Sequence, residues 1–259
     1  MQFFFNAIAW LFDPANYVQG SQTPLPIQAR IVEHLLYTAV SVGIASVIAL
    51  PLGFYIGHTG RGRQFVITLS GGLRALPTLG FLGALFVVVG MTVPFTQTAF
   101  IASIVAFVVL AIPSILAGAY AGIESVDPEM VDAGRAMGMT ELQLLFRVEI
   151  PLSLPLIIGG IRAAVLQVIA TVVIASYISL GGIGAIISTG ISLNNNNEIL
   201  GGAILVTVLA LVIDALFALA QRLTRRAGSV RQRRGLRNVR TLPSGQSAAA
   251  AVSATEGNH

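Results

Sequence analysis

The chain has 259 residues, of which 55% are hydrophobic and only 10% are charged, and its formal net charge is +4. Soluble domains typically carry about 25% charged residues, so this composition excludes an ordinary soluble fold and predicts apolar surfaces that face lipid. There is no cysteine, which excludes disulfides, thiolate catalysis and cysteine metal sites. The histidines at positions 34, 58 and 259 lack metal-ligand spacing, and no catalytic triad or phosphate-binding loop is present. We therefore predict no catalytic residues, no metal site and no cofactor.

Residues 1–30 are predicted to form an N-terminal interfacial segment. Their apolar run is rich in aromatic residues and stops at Asp13-Pro14, so it is too short to cross a bilayer. No basic residue precedes it, which argues against a signal peptide. Aromatic side chains concentrate at the membrane–water interface, which favours a helix lying there. A flexible terminus is the alternative.

Residues 31–222 are predicted to form an all-α membrane domain with about five transmembrane helices. Apolar stretches long enough to cross a bilayer lie at about residues 35–57, 65–91, 99–122, 163–180 and 199–219. The second of these is expected to kink at Pro77, where neighbouring helices can satisfy the freed backbone groups. A Gly-, Ser- and Asn-rich segment precedes the last span and ends at Asn197. It is expected to be re-entrant or to lie at the surface.

Arginine is concentrated in the C-terminal tail, residues 223–259. The arginines end at position 240, and a Ser-, Ala- and Gly-rich end without periodicity follows, which predicts a basic segment and then disorder beyond residue 241. Such a run can bind nucleic acid, but beside a span it is more typical of a cytoplasmic flank. The loops around Arg61 and Arg135 fall on the same side, whereas those near Pro94 and Asn194 hold no arginine. We expect a multi-pass protein of the cytoplasmic membrane, with its N-terminus outside, its C-terminus inside and no nucleic-acid partner.

The polar stretch between the third and fourth spans contains start and stop signals for two short helices. Asp127-Pro128 predicts a helix start, and Gly138 predicts its end. Thr140 and Gln143 have the spacing of a capping box, which predicts a second helix over 141–147 that ends at Pro151. A plain connector needs only a few residues, so a loop built in this way indicates a docking surface.

The same loop resembles the Glu-Ala-Ala loop of permease subunits of binding-protein-dependent ABC importers. That family pattern is Glu-Ala-Ala, three residues, Gly, nine residues and Ile-x-Leu-Pro. Here Asp132-Ala133-Gly134, Gly138 and Val148-Glu149-Ile150-Pro151 keep both spacings, with Asp, Gly, Val and Ile as departures. The resemblance implies an ABC-importer permease fold in which this loop is a coupling helix that docks in a cleft of a separate ATP-hydrolysing subunit. The residues assigned to ATPase coupling are Glu129, Val131, Asp132, Ala133, Gly134, Gly138 and Pro151, with small side chains at 133 and 134 allowing close approach to the ATPase.

A second resemblance covers most of the core, about residues 31–222. The segments at 33–35 and 51–53, with Thr38 and Ser41, resemble the first span of these permeases. The segments at 74–78 and 179–184 look most like the branch that imports osmoprotectants such as glycine betaine, choline, carnitine or proline betaine. This resemblance implies four partners: an ATPase dimer, a second permease subunit that is identical or related, an extracytoplasmic substrate-binding protein and the lipid bilayer. The alternatives are an ABC permease for another small solute such as an amino acid, a secondary transporter, or a membrane scaffold. The absence of an internal repeat and of an intramembrane acidic cluster argues against the secondary transporter.

A few side chains within or beside the spans are candidates for specific roles. Asp214 is predicted to form an intramembrane ion pair with Arg74 or Arg162, because a charge at membrane depth is usually paired. A proton or cation relay is the alternative for Asp214. Phe107 and Tyr177 are candidates for a substrate pathway, since aromatic faces attract quaternary ammonium groups, although packing is the commoner role for such residues. Glycine pairs at 159–160 and 201–202 suit close helix contact or hinges.

Overall fold

The computed structural model describes residues 2–18 and 25–239, with the side chains of residues 3, 65, 67, 69, 74 and 225–239 left out. The described residues are helical throughout, with turns and no strands, as the sequence predicted. The chain divides into two units, residues 1–221 and residues 222–259. The described part of the second unit is the end of the last helix. The disorder predicted beyond residue 241 lies outside the described residues.

The N-terminal residues form helix α1 (Gln2–Leu11), followed by a 3-10 turn (Pro14–Tyr17) that Asp13 caps with a hydrogen bond from Ala15 N. Trp10 is buried in a small apolar cluster with Ile27, Ile183 and Ile186. The predicted helix is therefore present and packs against the main bundle. Its place at the membrane interface stays a prediction.

Three long helices form the centre of the first unit: α2 (Ile27–Thr59), α5 (Phe95–Glu124) and α8 (Ile150–Ala175). Their buried side chains share one apolar core, in which Phe107, Ile115 and Val168 are fully enclosed. Helix α2 runs parallel to α5, since Tyr37 meets Phe100 near one end and Gly57 meets Ile123 near the other. Helix α8 runs antiparallel to both. We call the end with Thr59 and Glu124 the lower end of the bundle and the opposite end the upper end.

Within residues 2–18 and 25–239, four helical segments are long and apolar enough to cross a membrane: α2, α5, residues 141–178 and part of α10 (Asn196–Val239). The second predicted span is divided into α3 (Arg63–Arg74) and α4 (Thr78–Gly90). Pro77 is the N-cap of α4 and has an extended conformation. Its ring also disfavours the helical conformation for the residue before it, so α3 ends ahead of Pro77. Arg63 pairs with Glu124 at the lower end, and Gly90 lies beside Thr98 at the upper end. The two helices therefore cross the bundle together.

The segment expected to be re-entrant or superficial contains helix α9 (Ile183–Ser192), which is apolar but too short to cross a bilayer alone. Helices α8 and α9 are joined at the upper end by a 3-10 turn (Ser176–Ile178) and residues 179–182. Ser179, Gly181 and Gly182 all have positive φ in this joint. We call residues 176–184 the upper turn.

Candidate functional site

The predicted pair of short helices lies at the lower end as α6 (Pro128–Ala136) and α7 (Glu141–Leu144). Asp127 caps α6 by accepting a hydrogen bond from Glu129 N at 3.0 Å. Gly138, with φ of +80°, ends the helix in the left-handed region. Thr140 and Gln143 form the predicted capping box, with hydrogen bonds of 3.3 and 3.0 Å. Both helix starts and the first helix end are therefore confirmed.

The predicted end of the second helix at Pro151 is wrong. Helix α7 continues through a π-helical turn (Leu145–Glu149) directly into α8, and Pro151 lies in the first turn of α8. The π turn supplies a change of backbone phase directly before Pro151, so the helix continues past this residue although its ring has no N–H to donate to the preceding turn. The candidate coupling loop is therefore continuous with the fourth span.

Most of the candidate coupling residues are exposed, but Gly134 is packed inside the loop. Gly134 is buried, and a β-carbon there would lie 2.5 Å from Cδ2 of Leu144. Its small size therefore allows α6 to pack on α7 of the same chain, while the contact with an ATPase that the sequence assigned to it stays a prediction. Val131 is half-buried. The candidate coupling residues that are exposed at the lower end are Glu129, Asp132, Ala133, Gly138 and Pro151.

Charged side chains tie α6 to α7 on the exposed surface. Arg135 donates hydrogen bonds from Nε and Nη2 to the two carboxylate oxygens of Glu141, at 3.0 and 3.1 Å, and from Nη1 to Asp132 at 3.2 Å. The hydrogen bonds to Glu141 raise the pKa of the Arg135 guanidinium above its ordinary value. The pair is exposed, so its contribution is to orientation more than to stability.

Asp214 pairs with Arg162, one of its two predicted partners. The Nε and Nη2 atoms of Arg162 donate to the two carboxylate oxygens at 2.6 and 2.7 Å. Arg162 Nη1 also donates to Gln221, and Gln221 Nε2 donates to the Pro155 carbonyl oxygen at 3.0 Å. A two-point guanidinium–carboxylate pair is the geometry of a structural link, here between α8 and α10. The side chain of Arg74 lies outside the described part of the structure.

The two candidate pathway residues lie in different surroundings. Phe107 is fully buried in the core of α2, α5 and α8, which fits the packing alternative. Tyr177 is exposed in the upper turn. A pathway role for either residue stays a prediction.

Side chains on one face of α2 form hydrogen bonds with the upper turn. These contacts bring together residues 33–35 and 179–184, two segments that the sequence analysis noted. Glu33 accepts hydrogen bonds from Gly182 N at 3.0 Å and from Arg30 at 2.9 Å. Tyr37 donates to the Leu180 carbonyl oxygen at 3.1 Å. His34 is fully buried and has its Nε2 atom 3.0 Å from the Ile169 carbonyl oxygen. Arg30, Glu33, His34 and Tyr37 follow the i, i+3, i+4, i+7 pattern of a single helix face.

Residues 49–227 match the model of a family described as the binding-protein-dependent transport system inner membrane component. The chain belongs to this family. It is therefore a multi-pass membrane component of a transporter rather than an enzyme, as the sequence predicted. Membership also implies an ATPase subunit and a substrate-binding protein as partners.

Relatives of this permease are identical to it at about a third of the aligned positions. It is 37% identical over 196 residues to the carnitine transport permease protein OpuCB of Listeria monocytogenes. The aligned region covers 75% of this chain and 87% of the relative. It is 33% identical to the choline transport system permease protein OpuBB of Bacillus subtilis (strain 168), with 77% and 88% covered. It is also 32% identical to the osmoprotectant import permease protein OsmW of Salmonella typhimurium, with 81% and 92% covered.

Solved structures with the same fold are components of ABC transporters. The inward-facing MetNI methionine ABC transporter superposes with a TM-score of 0.66 at 21% identity, covering 76% of this chain and 95% of that chain. An amino acid ABC transporter determined with histidines has a TM-score of 0.59 at 19% identity, with 78% and 93% covered. These likenesses confirm the expected permease fold.

The pairing of Arg162 with Asp214 leads to a prediction for the permease. Asp214→Asn should lower the amount of folded protein more than the transport per folded molecule, because it leaves the Arg162 charge unpaired beside lipid. The double variant Arg162→Gln, Asp214→Asn removes both charges and should recover much of the folded amount. Fluorescence-detected size exclusion gives the folded amount, and uptake gives the transport. Normal abundance with abolished transport would favour the relay alternative.

The sequence interpretation missed the role of His58. It noted the residue only as a histidine without partner spacing, yet its ring lies between two carboxylates of the loop at the lower end. One of these partners, Glu149, is 91 positions away in the chain. No local pattern signals a contact of that range, so only the packing of α2 on the loop could reveal it.

Proposed function

We propose that this chain is the permease subunit of an ATP-driven importer of osmoprotectants of the quaternary amine class, such as glycine betaine, carnitine or choline. The observation that carries the transport mechanism is the capped helix α6, which presents Asp132 and Ala133 to solvent beyond the spans. The names of the relatives support the substrate class. In this proposal α6 is the coupling helix and the ATPase subunit carries the ATP chemistry.

The geometry of the lower end supports force transmission through this loop. Helix α6 packs on α7 at Gly134, and α7 runs without a break into the span α8. A displacement of α6 by a docked ATPase therefore reaches α8 through packed backbone and not through a flexible connector. Closure of the ATPase dimer would then switch the spans between their two facings, the rigid-body type of transition expected for alternating access. A second permease subunit, identical or related, completes the proposed transporter.

Uptake into proteoliposomes tests the proposed function. The complete permease, its ATPase and its binding protein would be reconstituted and supplied with radiolabelled glycine betaine, carnitine, choline, methionine or histidine. We expect ATP-dependent accumulation of at least one quaternary amine, and none when the ATPase cannot hydrolyse ATP. Accumulation of an amino acid alone would place the permease with the amino acid importers. Uptake driven by an ion gradient without the ATPase would show a secondary transporter.

The arginine distribution supports a proposed orientation, with the lower end and the C-terminus in the cytoplasm and the N-terminus outside. Arg61, Arg135 and Arg147 lie in loops on one side of the predicted spans, and the tail arginines follow the last span on that side. Reporter fusions at Asn195 and at Gly228 are expected to report opposite sides of the membrane. Fusions that report the same side would contradict a model with five crossings.

A further inference from the structure

His58 connects the first span to the proposed coupling loop through polar contacts of both ring nitrogens, a hydrogen bond with Glu149 and an ion-pair contact with Glu141. Its Nδ1 atom lies 2.7 Å from Glu149 Oε2, and its Nε2 atom lies 3.2 Å from Glu141 Oε2. The residue occupies the last turn of α2, while its two partners begin α7 and end the π turn. The side chains of His58 and Glu149 are only 14% and 6% exposed, so this contact is largely screened from water.

The contact extends to α6 through side chains that have already been described. Glu141, which faces Nε2 of His58, is also the carboxylate that receives two hydrogen bonds from Arg135. Arg135 is anchored in turn on Asp132, in the centre of α6. An unbroken series of polar contacts therefore runs from the exposed surface of α6 to the end of α2. Helix α2 is not adjacent to this loop in the chain, so these side chains supply a connection that the backbone does not.

Helix α2 is long enough to connect the contact at His58 with the upper turn at the other end of the bundle. Its 33 residues span about 50 Å at 1.5 Å per residue, and it packs along α5 at Gly53 and Gly57, where a β-carbon would lie 2.5 and 2.7 Å from α5 side chains. At the far end of α2, Glu33 and Tyr37 hold the upper turn. A shift of the lower end of α2 is therefore carried to the joint between α8 and α9.

We propose that His58 is a positioning residue that makes α2 move with the coupling helix, so that docking of the ATPase acts on the upper turn through α2 as well as through α8. This inference deepens the proposed function and rests on it, since it presupposes an ATPase docked on α6. Without the imidazole, α6 and α8 still move together through α7, but α2 and the upper turn lag behind. The variant therefore hydrolyses ATP without completing the switch between facings.

The first test measures substrate moved per ATP hydrolysed in the reconstituted complex. His58→Ala should keep the ATPase bound and hydrolysis near the wild-type rate, while the ratio of transport to hydrolysis falls by about tenfold, within the range of 5–150-fold typical of coupling between sites. Arg63→Ala is the matched control, because Arg63 forms an exposed ion pair with Glu124 at the same end, at 3.1 Å. It should leave the ratio unchanged. His58→Gln retains hydrogen-bonding groups and should restore part of the ratio.

A double-variant comparison shows whether the residues act along one route. Arg135→Ala should lower the ratio by itself, and the double variant His58→Ala, Arg135→Ala should be little worse than either single variant, since the route is already broken. An additive fall for this pair would contradict a shared route. Loss of the bound ATPase in His58→Ala would assign the residue to docking itself and overturn the inference. An unchanged ratio in that variant would also overturn it.

A distance measurement tests the same inference without any substrate, so its outcome does not depend on the proposed osmoprotectant. The chain has no cysteine, so Tyr55→Cys on α2 and Leu142→Cys on α7, both exposed, place two spin labels specifically. In the complex with the ATPase, we expect one narrow distance distribution that ATP leaves unchanged. His58→Ala should broaden it or make it respond to ATP. A distribution that changes with ATP in the parent chain, or one unaffected by His58→Ala, would overturn the proposed role of His58 while leaving the transport function intact.

Discussion

Ala133→Trp is expected to abolish ATP-driven transport while the protein still folds and reaches the membrane. Ala133 is exposed on α6, beyond the core of the bundle, so the larger side chain has room in the isolated permease. Its effect falls on the surface that the ATPase would cover. Overpacking a fitted contact costs about 1–3 kcal/mol, which corresponds to roughly a 5–150-fold weaker association. The contact between α6 and α7 is made by Gly134 and Leu144 and is left as it is.

Co-purification of the ATPase from detergent-solubilised membranes measures this effect directly. The variant should reach the membrane at the normal level yet lose the ATPase, or retain it without substrate-stimulated hydrolysis. Gln64→Trp is the control, because it introduces the same side chain at an exposed position on α3, outside the loop. Transport by Ala133→Trp at the wild-type rate and normal protein level would show that α6 is not the docking surface.

Gly138 gives a companion test of the same loop through the backbone alone. It has φ of +80°, and a β-carbon there would meet no other described residue within 4 Å beyond its chain neighbours, so we expect any effect of a substitution to come from conformation and not from collision. Gly138→Val should strain the end of α6, since β-branched residues rarely adopt positive φ. Gly138→Asn should be tolerated, because asparagine is the commonest alternative at such a helix end. Equal coupling by both variants would argue against a requirement for a rigid α6.

The parts of the fold that were predicted from the sequence are those encoded by local signals. Hydropathy located the spans, apart from the start of the fourth, which was predicted at residue 163 although α8 begins at Ile150. The side chains of Asp127, Thr140 and Gln143 marked the helix starts, because each cap bonds within three residues of itself. Proline was the less reliable signal. Pro77 does separate two helices, but Pro151 lies in a first turn and ends nothing. The two prolines differ because a π turn precedes Pro151, and no residue pattern in the sequence predicts that turn.

The contacts that depend on packing between distant helices were only partly predictable. A charge at membrane depth requires a partner, so the pairing of Asp214 could be expected, although the choice of Arg162 over Arg74 needed the structure. The position of His58 between two carboxylates carried no such signal. The sequence likewise could not distinguish Gly159 from Gly160, because both belong to one glycine pair that suits close helix contact. A β-carbon at Gly159 would meet only the Gln221 amide, a flexible group, whereas one at Gly160 would meet the backbone of α5.

Gly160→Ala is therefore expected to lower the stability of the permease strongly. The added β-carbon would lie 2.8 Å from Cα of Gly118 and 2.8 Å from the Ser114 carbonyl oxygen, closer than real contacts allow. Both are backbone atoms, which cannot rotate away, so α5 and α8 must separate at the point where small residues let them approach. Separation also stretches the hydrogen bonds that join Gln167 to Ser114 and to the Leu110 carbonyl oxygen, at 3.2 and 3.1 Å.

The matched control for Gly160→Ala is Gly43→Ala, which adds the same methyl group to the middle of helix α2. Among the described residues, a β-carbon at Gly43 would meet no atom within 4 Å apart from its own helix backbone, and alanine is a better helix former by about 1 kcal/mol. We expect a cost of about 3 kcal/mol at Gly160, or roughly 6–12 °C in the thermal midpoint for a chain of this size, and no loss at Gly43. Heating in detergent followed by size exclusion measures both midpoints. Equal midpoints would mean that α5 and α8 do not approach as closely as their glycines allow, and the central packing of the bundle would have to be different.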